Sequence, residues 1–152
     1  MSEFSMSCSD FEEGGEIPKK FGYKHGNVAP WIEFNHTPEG TNCKALIMDD
    51  PDAMAAVGKV WVHWLVLTGT DRPTFPNAIP SPELALFEGK NDFGEIGYGG
   101  PAPPDERHTY VFKGYALDAT PELKDGYSKQ ELEDAMKGHI LAEAKLTGTF
   151  AP

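Results

Sequence analysis

The stretch VWVHWLVL, residues 60–67, is apolar at every position except His63. Aromatic and β-branched side chains favour strands, and an apolar run without alternation predicts a central strand buried on both faces rather than an edge strand. Two further runs rich in β-branched and aromatic residues predict strands, KALIM at 44–48 and TYVFKGYAL at 109–117, and the alternation of KLTGTF at 145–150 predicts another. Because proline and glycine separate these runs, the sequence predicts a mainly β protein.

One helix is predicted near the C-terminus. Ser128 and Glu131 form the pattern of a capping box, in which each side chain accepts a hydrogen bond from the backbone amide of the other. One helical face then follows, formed at three- and four-residue steps by Leu132, Ala135, Met136, His139 and Ile140. We interpret Gly138 as an interior helix residue that is kept for close packing on a neighbour. A weaker helical turn is predicted at residues 82–87.

Length and charge restrict the classes of function. The chain has 152 residues with 39% hydrophobic content and no repeat or break in composition, which predicts one domain over residues 1–152. Its formal net charge is −11, and so acidic a surface repels nucleic acids and anionic membranes. No apolar run approaches the ~20 residues of a membrane helix, so we expect no integral membrane segment.

The start of the chain, MSEFSMSCSDFEEGGE, has neither the basic nor the apolar part of a secretory signal, so we expect a cytoplasmic protein. Cys8 and Cys43 have no metal-type spacing, and in a reducing compartment they are expected to be free thiols. The spacing of the histidines is not that of a zinc site. We therefore expect neither a metal nor a cofactor.

Two polar features lie in or beside the apolar runs. Asp49, Asp50 and Asp52 follow the strand at 44–48, and one interpretation is a turn whose carboxylates are all solvated. The other is a turn with one carboxylate aimed inward, because Pro51 restricts Asp50 to extended geometry. His63 is either a satisfied core residue or a pocket residue. A buried imidazole needs partners for its ring nitrogens, and a carboxylate of the acidic turn would supply one.

The segment GYGGPAPPDERH, residues 97–108, has three glycines and three prolines in its first eight positions. One interpretation is a rigid surface loop. The other is an anion cradle, because glycine lets backbone amides approach a ligand and proline removes the entropy of a free loop. His108 stands where this segment enters the next strand.

Taken together, these segments resemble the phosphatidylethanolamine-binding proteins, and most closely their compact prokaryotic, Raf-kinase-inhibitor-like branch. The motifs are D-P-D-A at 50–53, V-H-W at 62–64, G-G-P-x-P-P at 99–104 and H-x-Y at 108–110. The resemblance implies an antiparallel β-sandwich with a short C-terminal helix, a homodimer, and a small pocket for phosphate or a phosphorylated head group. The ligand-binding residues it implies are Asp50, Asp52, His63, Gly100, Ala102, Pro104, His108 and Tyr110.

The chain departs from the family pattern twice. Met54 stands where the family usually has proline, which leaves the pose of Asp52 open. Thr109 stands where the family usually has arginine, and the preceding Arg107 is a candidate to replace that cation.

We expect a cytosolic binding protein for a small phosphorylated or carboxylated ligand, with a regulatory role and without catalysis. The alternatives are a hydrolase-type enzyme, in which Asp50 orients His63 as a general base opposite His108, and an interaction protein that regulates a kinase or protease. If protonated histidines hold the anion, binding strengthens as pH falls through ~6.5.

Overall fold

The computed structural model describes residues 3–69, 78–79 and 87–152. In chain order its elements are β1 (Ser5–Cys8), β2 (Gly15–Glu16), a 3-10 turn (Lys19–Phe21), β3 (Ile32–Asn35), β4 (Cys43–Asp50), α1 (Ala53–Val57), β5 (Trp61–Gly69), β6 (Ala78–Ile79), β7 (Phe87–Glu88), β8 (His108–Leu117), α2 (Lys129–Met136) and β9 (Ile140–Phe150). The predicted mainly β class is confirmed. Of the predicted turn at 82–87, Phe87 belongs to β7 and the rest lies outside the described residues.

The strands form two sheets. One has three strands in the order β1-β3-β6, and the other has six in the order β2-β9-β8-β4-β5-β7. All pairs are antiparallel except the two-residue pairing of β2 with β9. The four long antiparallel strands, adjacent in the order β9-β8-β4-β5, therefore form the frame on which the site is built.

Strands β4 and β5 are buried on both faces, as predicted for residues 60–67. Side chains on one face, such as Met48 and Trp64, join an apolar cluster that contains Phe34 of the smaller sheet. Those on the other face, such as Ile47 and Leu65, pack in a second cluster with residues of α2. The continuous apolar pattern of these strands follows from this burial, because neither face meets water.

The second edge of β5 is completed by loop backbone rather than by a full strand. Strand β7 pairs with only two residues of β5. Beyond it, the segment 89–99 donates to β5 through three amides: Gly89 to Leu65 O at 2.9 Å, Asp92 to Val62 O at 2.9 Å, and Gly99 to His63 O at 2.9 Å. This pairing brings the start of the glycine- and proline-rich segment beside His63.

Helix α2 begins as predicted and ends earlier. Both bonds of the capping box are present, Glu131 N to Ser128 Oγ at 3.0 Å and Ser128 N to Glu131 Oε1 at 3.1 Å. The interpretation of Gly138 as a packed interior residue is wrong, because its φ is +82° and a Cβ there would touch nothing. This left-handed residue follows the helix, and Ile140, predicted on the helical face, begins β9 instead.

The structure also bears on the predicted free thiols and on membrane-spanning helices. Cys8 and Cys43 are buried free thiols that belong to different apolar clusters. Burial raises the pKa of Cys43 to about 11, which keeps this thiol protonated and unreactive. Neither described helix has the length and apolar character needed to cross a membrane.

Candidate functional site

A cavity of about 170 Å³ opens where β4 ends, β5 begins and β8 begins. Because β4 pairs antiparallel with both β5 and β8, these strand ends lie together, and residues distant in sequence meet there. The cavity is lined by six of the eight predicted site residues, namely Asp50, His63, Ala102, Pro104, His108 and Tyr110. Asp52 and Gly100 do not line it.

Two carboxylates of the acidic turn, Asp49 and Asp50, are buried, whereas Asp52 is exposed. Asp49 is only 1% exposed and its Oδ2 accepts from the ammonium groups of Lys113 at 3.2 Å and Lys129 at 2.9 Å. Asp50 is 3% exposed and faces the cavity. The structure therefore agrees with the inward-facing interpretation for Asp50. The neighbouring carboxylate of Asp49 does not share this cavity and pairs with two lysines instead.

His108 lies between two carboxylates. Its Nδ1 is 2.6 Å from Asp50 Oδ2, and its Nε2 is 2.7 Å from Asp105 Oδ1. Burial favours the neutral imidazole, but the hydrogen bonds and charges of Asp50 and Asp105 outweigh it and raise the pKa of His108. Burial likewise raises the pKa of Asp50, although its bond to His108 opposes this. A protonated His108 that donates from both nitrogens fits this geometry.

His63 has a different partner from the one predicted. Its Nδ1 donates to the carbonyl oxygen of Gly99 at 2.6 Å, since a carbonyl can only accept. Burial lowers the pKa of His63 to about 4. The prediction that Asp50 orients His63 is wrong, because Asp50 pairs with His108. His63 is neutral at physiological pH with an unprotonated Nε2, so it does not supply the expected cationic donor.

Asp52 supports the turn rather than lining the cavity. Its amide donates to Asp50 Oδ1 at 2.9 Å, and its Oδ2 accepts from the Thr109 amide at 2.8 Å. These bonds tie the end of β4 to the start of β8 and so fix the direction of the Asp50 side chain. Met54, the departure beside Asp52, lies on α1 with 54% of its surface exposed.

Gly100 is needed for backbone packing, not for contact with a ligand. A Cβ at this position would lie 1.9 Å from the carbonyl oxygen of Phe21. Its amide donates to Asn27 Oδ1 at 2.7 Å, away from the cavity. Positions 101, 103 and 104 are prolines without an N–H, so Ala102 has the one amide of this wall left to offer. The predicted cradle of several amides is therefore wrong.

Arg107 does not replace the missing arginine at the pocket. Its guanidinium donates to Thr149 Oγ1 at 3.2 Å and lies 3.3 Å from Glu16 Oε1. Both partners belong to the β2–β9 edge, and Arg107 does not line the cavity.

Comparison with known proteins decides the family. The family model described as phosphatidylethanolamine-binding protein matches residues 7–151. The chain belongs to this family. It is 39% identical over 147 residues to a UPF0098 protein of Chlamydia muridarum, covering 95% of this chain and 97% of the relative. A UPF0098 protein of Methanothermobacter thermautotrophicus is 38% identical over 152 residues, covering 96% and 97% respectively.

Solved structures of the phosphatidylethanolamine-binding protein family share the fold. The crystal structure of a homologue from Chlamydia trachomatis matches with a TM-score of 0.86 at 34% identity, covering 98% of this chain and 97% of the other. The crystal structure of Escherichia coli YbcL, described as a new member of the mammalian PEBP family, matches with a TM-score of 0.84 at 27% identity, covering 98% of each chain. The predicted resemblance and fold are confirmed.

Two aromatic residues of the cavity were missed from the sequence. Trp61 and Phe93 line it, with ring centroids 5.5 Å apart. Trp61 precedes His63 by two positions on one strand, so the period-2 alternation already placed both side chains on the same face. Phe93 lies in a loop, where no periodicity indicates its direction.

Two polar atoms of the cavity have no protein partner among the described residues: the Trp61 Nε1 and the Tyr110 hydroxyl. Both atoms are buried, and the whole of Tyr110 is 0% exposed. Burial and the charge of Asp50 raise the pKa of Tyr110, so its hydroxyl keeps its proton. The nearby Ala102 amide opposes this shift, but it is not placed to form a hydrogen bond with the Tyr110 oxygen. Both donors are neutral and belong to residues of the cavity wall, although the atoms themselves have almost no surface open to it.

Proposed function

We propose that the chain is a non-enzymatic binding protein whose cavity holds the oxyanion of a small phosphorylated or carboxylated ligand. The observation that carries this proposal is the pair of buried donors without a protein partner, Trp61 Nε1 and the Tyr110 hydroxyl. Buried polar groups are nearly always hydrogen-bonded, so two of them on residues of one cavity wall favour a ligand that reaches them with acceptors. The Tyr110 residue was predicted as a ligand contact, and it keeps that role here.

The charges of the cavity support an anion despite the acidic surface. A chain with a net charge of −11 attracts no anion by its overall field, so local donors must hold one. The carboxylate of Asp50 is compensated by His108 at 2.6 Å. The second carboxylate on His108, that of Asp105, is 43% exposed and does not line the cavity, so its charge is solvated outside it. Within the cavity an entering oxyanion therefore meets the Asp50–His108 pair, not an isolated negative charge.

The remaining wall is apolar. Ala53, Ala56 and Val57 of α1 line one part of the cavity, and Phe93 lines another. An apolar surrounding lowers the local dielectric and strengthens hydrogen bonds to an ion that has left water. It also favours a ligand that carries a short apolar group beside its oxyanion.

Calorimetry with inorganic phosphate and with a phosphorylated head group tests this proposal. We expect binding to the wild type and affinity about tenfold lower in Tyr110→Phe, which loses one donor to a charged group. A similar loss is expected in His108→Gln, because it removes the positive charge that compensates Asp50. Tyr98→Phe is the matched control, since its hydroxyl donates to Phe21 O at 2.8 Å and does not line the cavity. Unchanged affinity in both site variants would place the anion elsewhere, and absence of binding to the wild type would refute the proposal.

We also propose that residues 1–152 fold as one domain, that the chain acts in the cytoplasm, and that it forms a homodimer. The resemblance to compact prokaryotic relatives supports the homodimer. Light scattering is expected to give twice the 16.7 kDa mass of one chain at micromolar concentration, and the mass of one chain would contradict it. The enzyme and the protein-regulator alternatives stay predictions that no particular contact in the cavity favours.

A further inference from the structure

Asp105 contacts the cavity histidine from outside. It lies on the segment 97–108, three residues before His108, and its Oδ1 is 2.7 Å from His108 Nε2. It does not itself line the cavity, whereas His108 does. The ring nitrogen that would otherwise be available to a ligand is therefore engaged with a carboxylate of the protein.

The two carboxylates that hold His108 differ in exposure. The Asp50 side chain is 4% exposed, and its Oδ1 also accepts from the Asp52 amide. The Asp105 side chain is 43% exposed. When Asp105 leaves the ring, water can solvate its charge at once, while a displaced Asp50 would stay buried and unpaired. Asp50 is therefore the fixed partner of His108, and Asp105 is the displaceable one.

We propose that Asp105 is an intramolecular competitor of the ligand: its carboxylate occupies His108 Nε2 in the free protein and is displaced when an oxyanion enters the cavity. The inference rests on the function proposed above. It implies that the ligand contacts His108 through Nε2 while Asp50 keeps Nδ1. A tethered carboxylate already in contact has a high effective concentration, so it lowers the apparent affinity for every ligand that uses this donor.

Four proteins test the inference by calorimetry with inorganic phosphate: the wild type, Asp105→Asn, Asp105→Ala and Glu106→Gln. We expect both Asp105 variants to bind phosphate about tenfold tighter or more, the change that one charge-assisted hydrogen bond typically makes. Glu106→Gln removes the same charge from the neighbouring residue without touching His108, so it is expected to change affinity less than twofold. Thermal unfolding of each protein confirms that it is folded.

The other outcomes separate the two proposals. If phosphate binds the wild type but both Asp105 variants bind equally or more weakly, Asp105 is a structural partner of His108 and the inference is wrong, while the proposed function stands. If Glu106→Gln gains as much as Asp105→Asn, the gain reflects net charge and the inference is again wrong. If phosphate binds none of the four proteins, the proposed function fails and the inference fails with it.

Discussion

The hydroxyl of Tyr110 provides a test in which stability and binding change in opposite directions. In the free protein this hydroxyl is buried without a partner among the described residues, and in the proposed complex it donates to the ligand. Tyr110→Phe removes only the oxygen and its proton. We therefore expect the free variant to be more stable than the wild type and its ligand affinity to be lower.

The magnitude follows from the surroundings of that oxygen. Burying a hydroxyl without a hydrogen bond costs about 1–3 kcal/mol in proteins. Removing the oxygen also leaves a small void, which offsets part of this gain. We therefore expect Tyr110→Phe to raise the free energy of unfolding by about 1 kcal/mol, at the lower end of the range.

Urea unfolding of Tyr110→Phe beside Tyr98→Phe measures this directly. Tyr98 is the matched control because the same substitution there removes a hydroxyl that donates to Phe21 O at 2.8 Å. Losing that bond leaves the carbonyl unpaired and is expected to lower the free energy of unfolding by about 1 kcal/mol. The two variants should thus differ by about 2 kcal/mol. If Tyr110→Phe is destabilised as much as Tyr98→Phe, the Tyr110 hydroxyl has a partner in the free protein and the reasoning fails.

Three further predictions concern the fold and its histidine. Burial lowers the pKa of His63 to about 4, so as pH falls below 6.5 this imidazole is protonated in the unfolded chain before it is protonated in the folded protein. The contribution of His63 to the free energy of unfolding should therefore drop by about 3 kcal/mol between pH 6.5 and pH 4, and urea titrations should show that His63→Gln lacks this drop. Gly100→Ala should lower the free energy of unfolding by about 3 kcal/mol or more, because the added carbon meets Phe21 O at 1.9 Å, and a wild-type urea midpoint would contradict that contact. Ser128→Ala should cost about 1 kcal/mol through loss of the bond from the Glu131 amide, and unchanged thermal unfolding would show that the cap contributes nothing.

The sequence predicted the strands well because burial on both faces leaves an apolar run that local pattern can detect. It also predicted the start of α2, because both partners of the capping box lie within four residues. The end of α2 was misjudged, since the apolar spacing continues past Gly138 while the backbone there does not stay helical. Helix α1 has only five residues and gave no periodic signal.

The residues of the site were easier to predict than their pairing. The family motifs named Asp50, His63 and His108, and alternation on β5 would also have indicated Trp61. Which histidine pairs with Asp50 depends on how β4, β5 and β8 meet in space, and no local pattern contains that information. The role of Gly100 was likewise hidden, because the close approach of Phe21 comes from a segment almost eighty residues away.

The central claim is that an oxyanion accepts hydrogen bonds from the cavity donors, and the tryptophan indoles report on it most directly. The chain has three tryptophans; the Trp61 Nε1 has no protein partner among the described residues, while Trp64 Nε1 donates to Glu88 Oε2 at 2.8 Å. A proton–nitrogen NMR titration with inorganic phosphate follows each indole N–H separately. We predict a saturable shift of the Trp61 indole resonance while that of Trp64 stays in place. A Trp61 resonance that does not move at saturating phosphate would contradict the account.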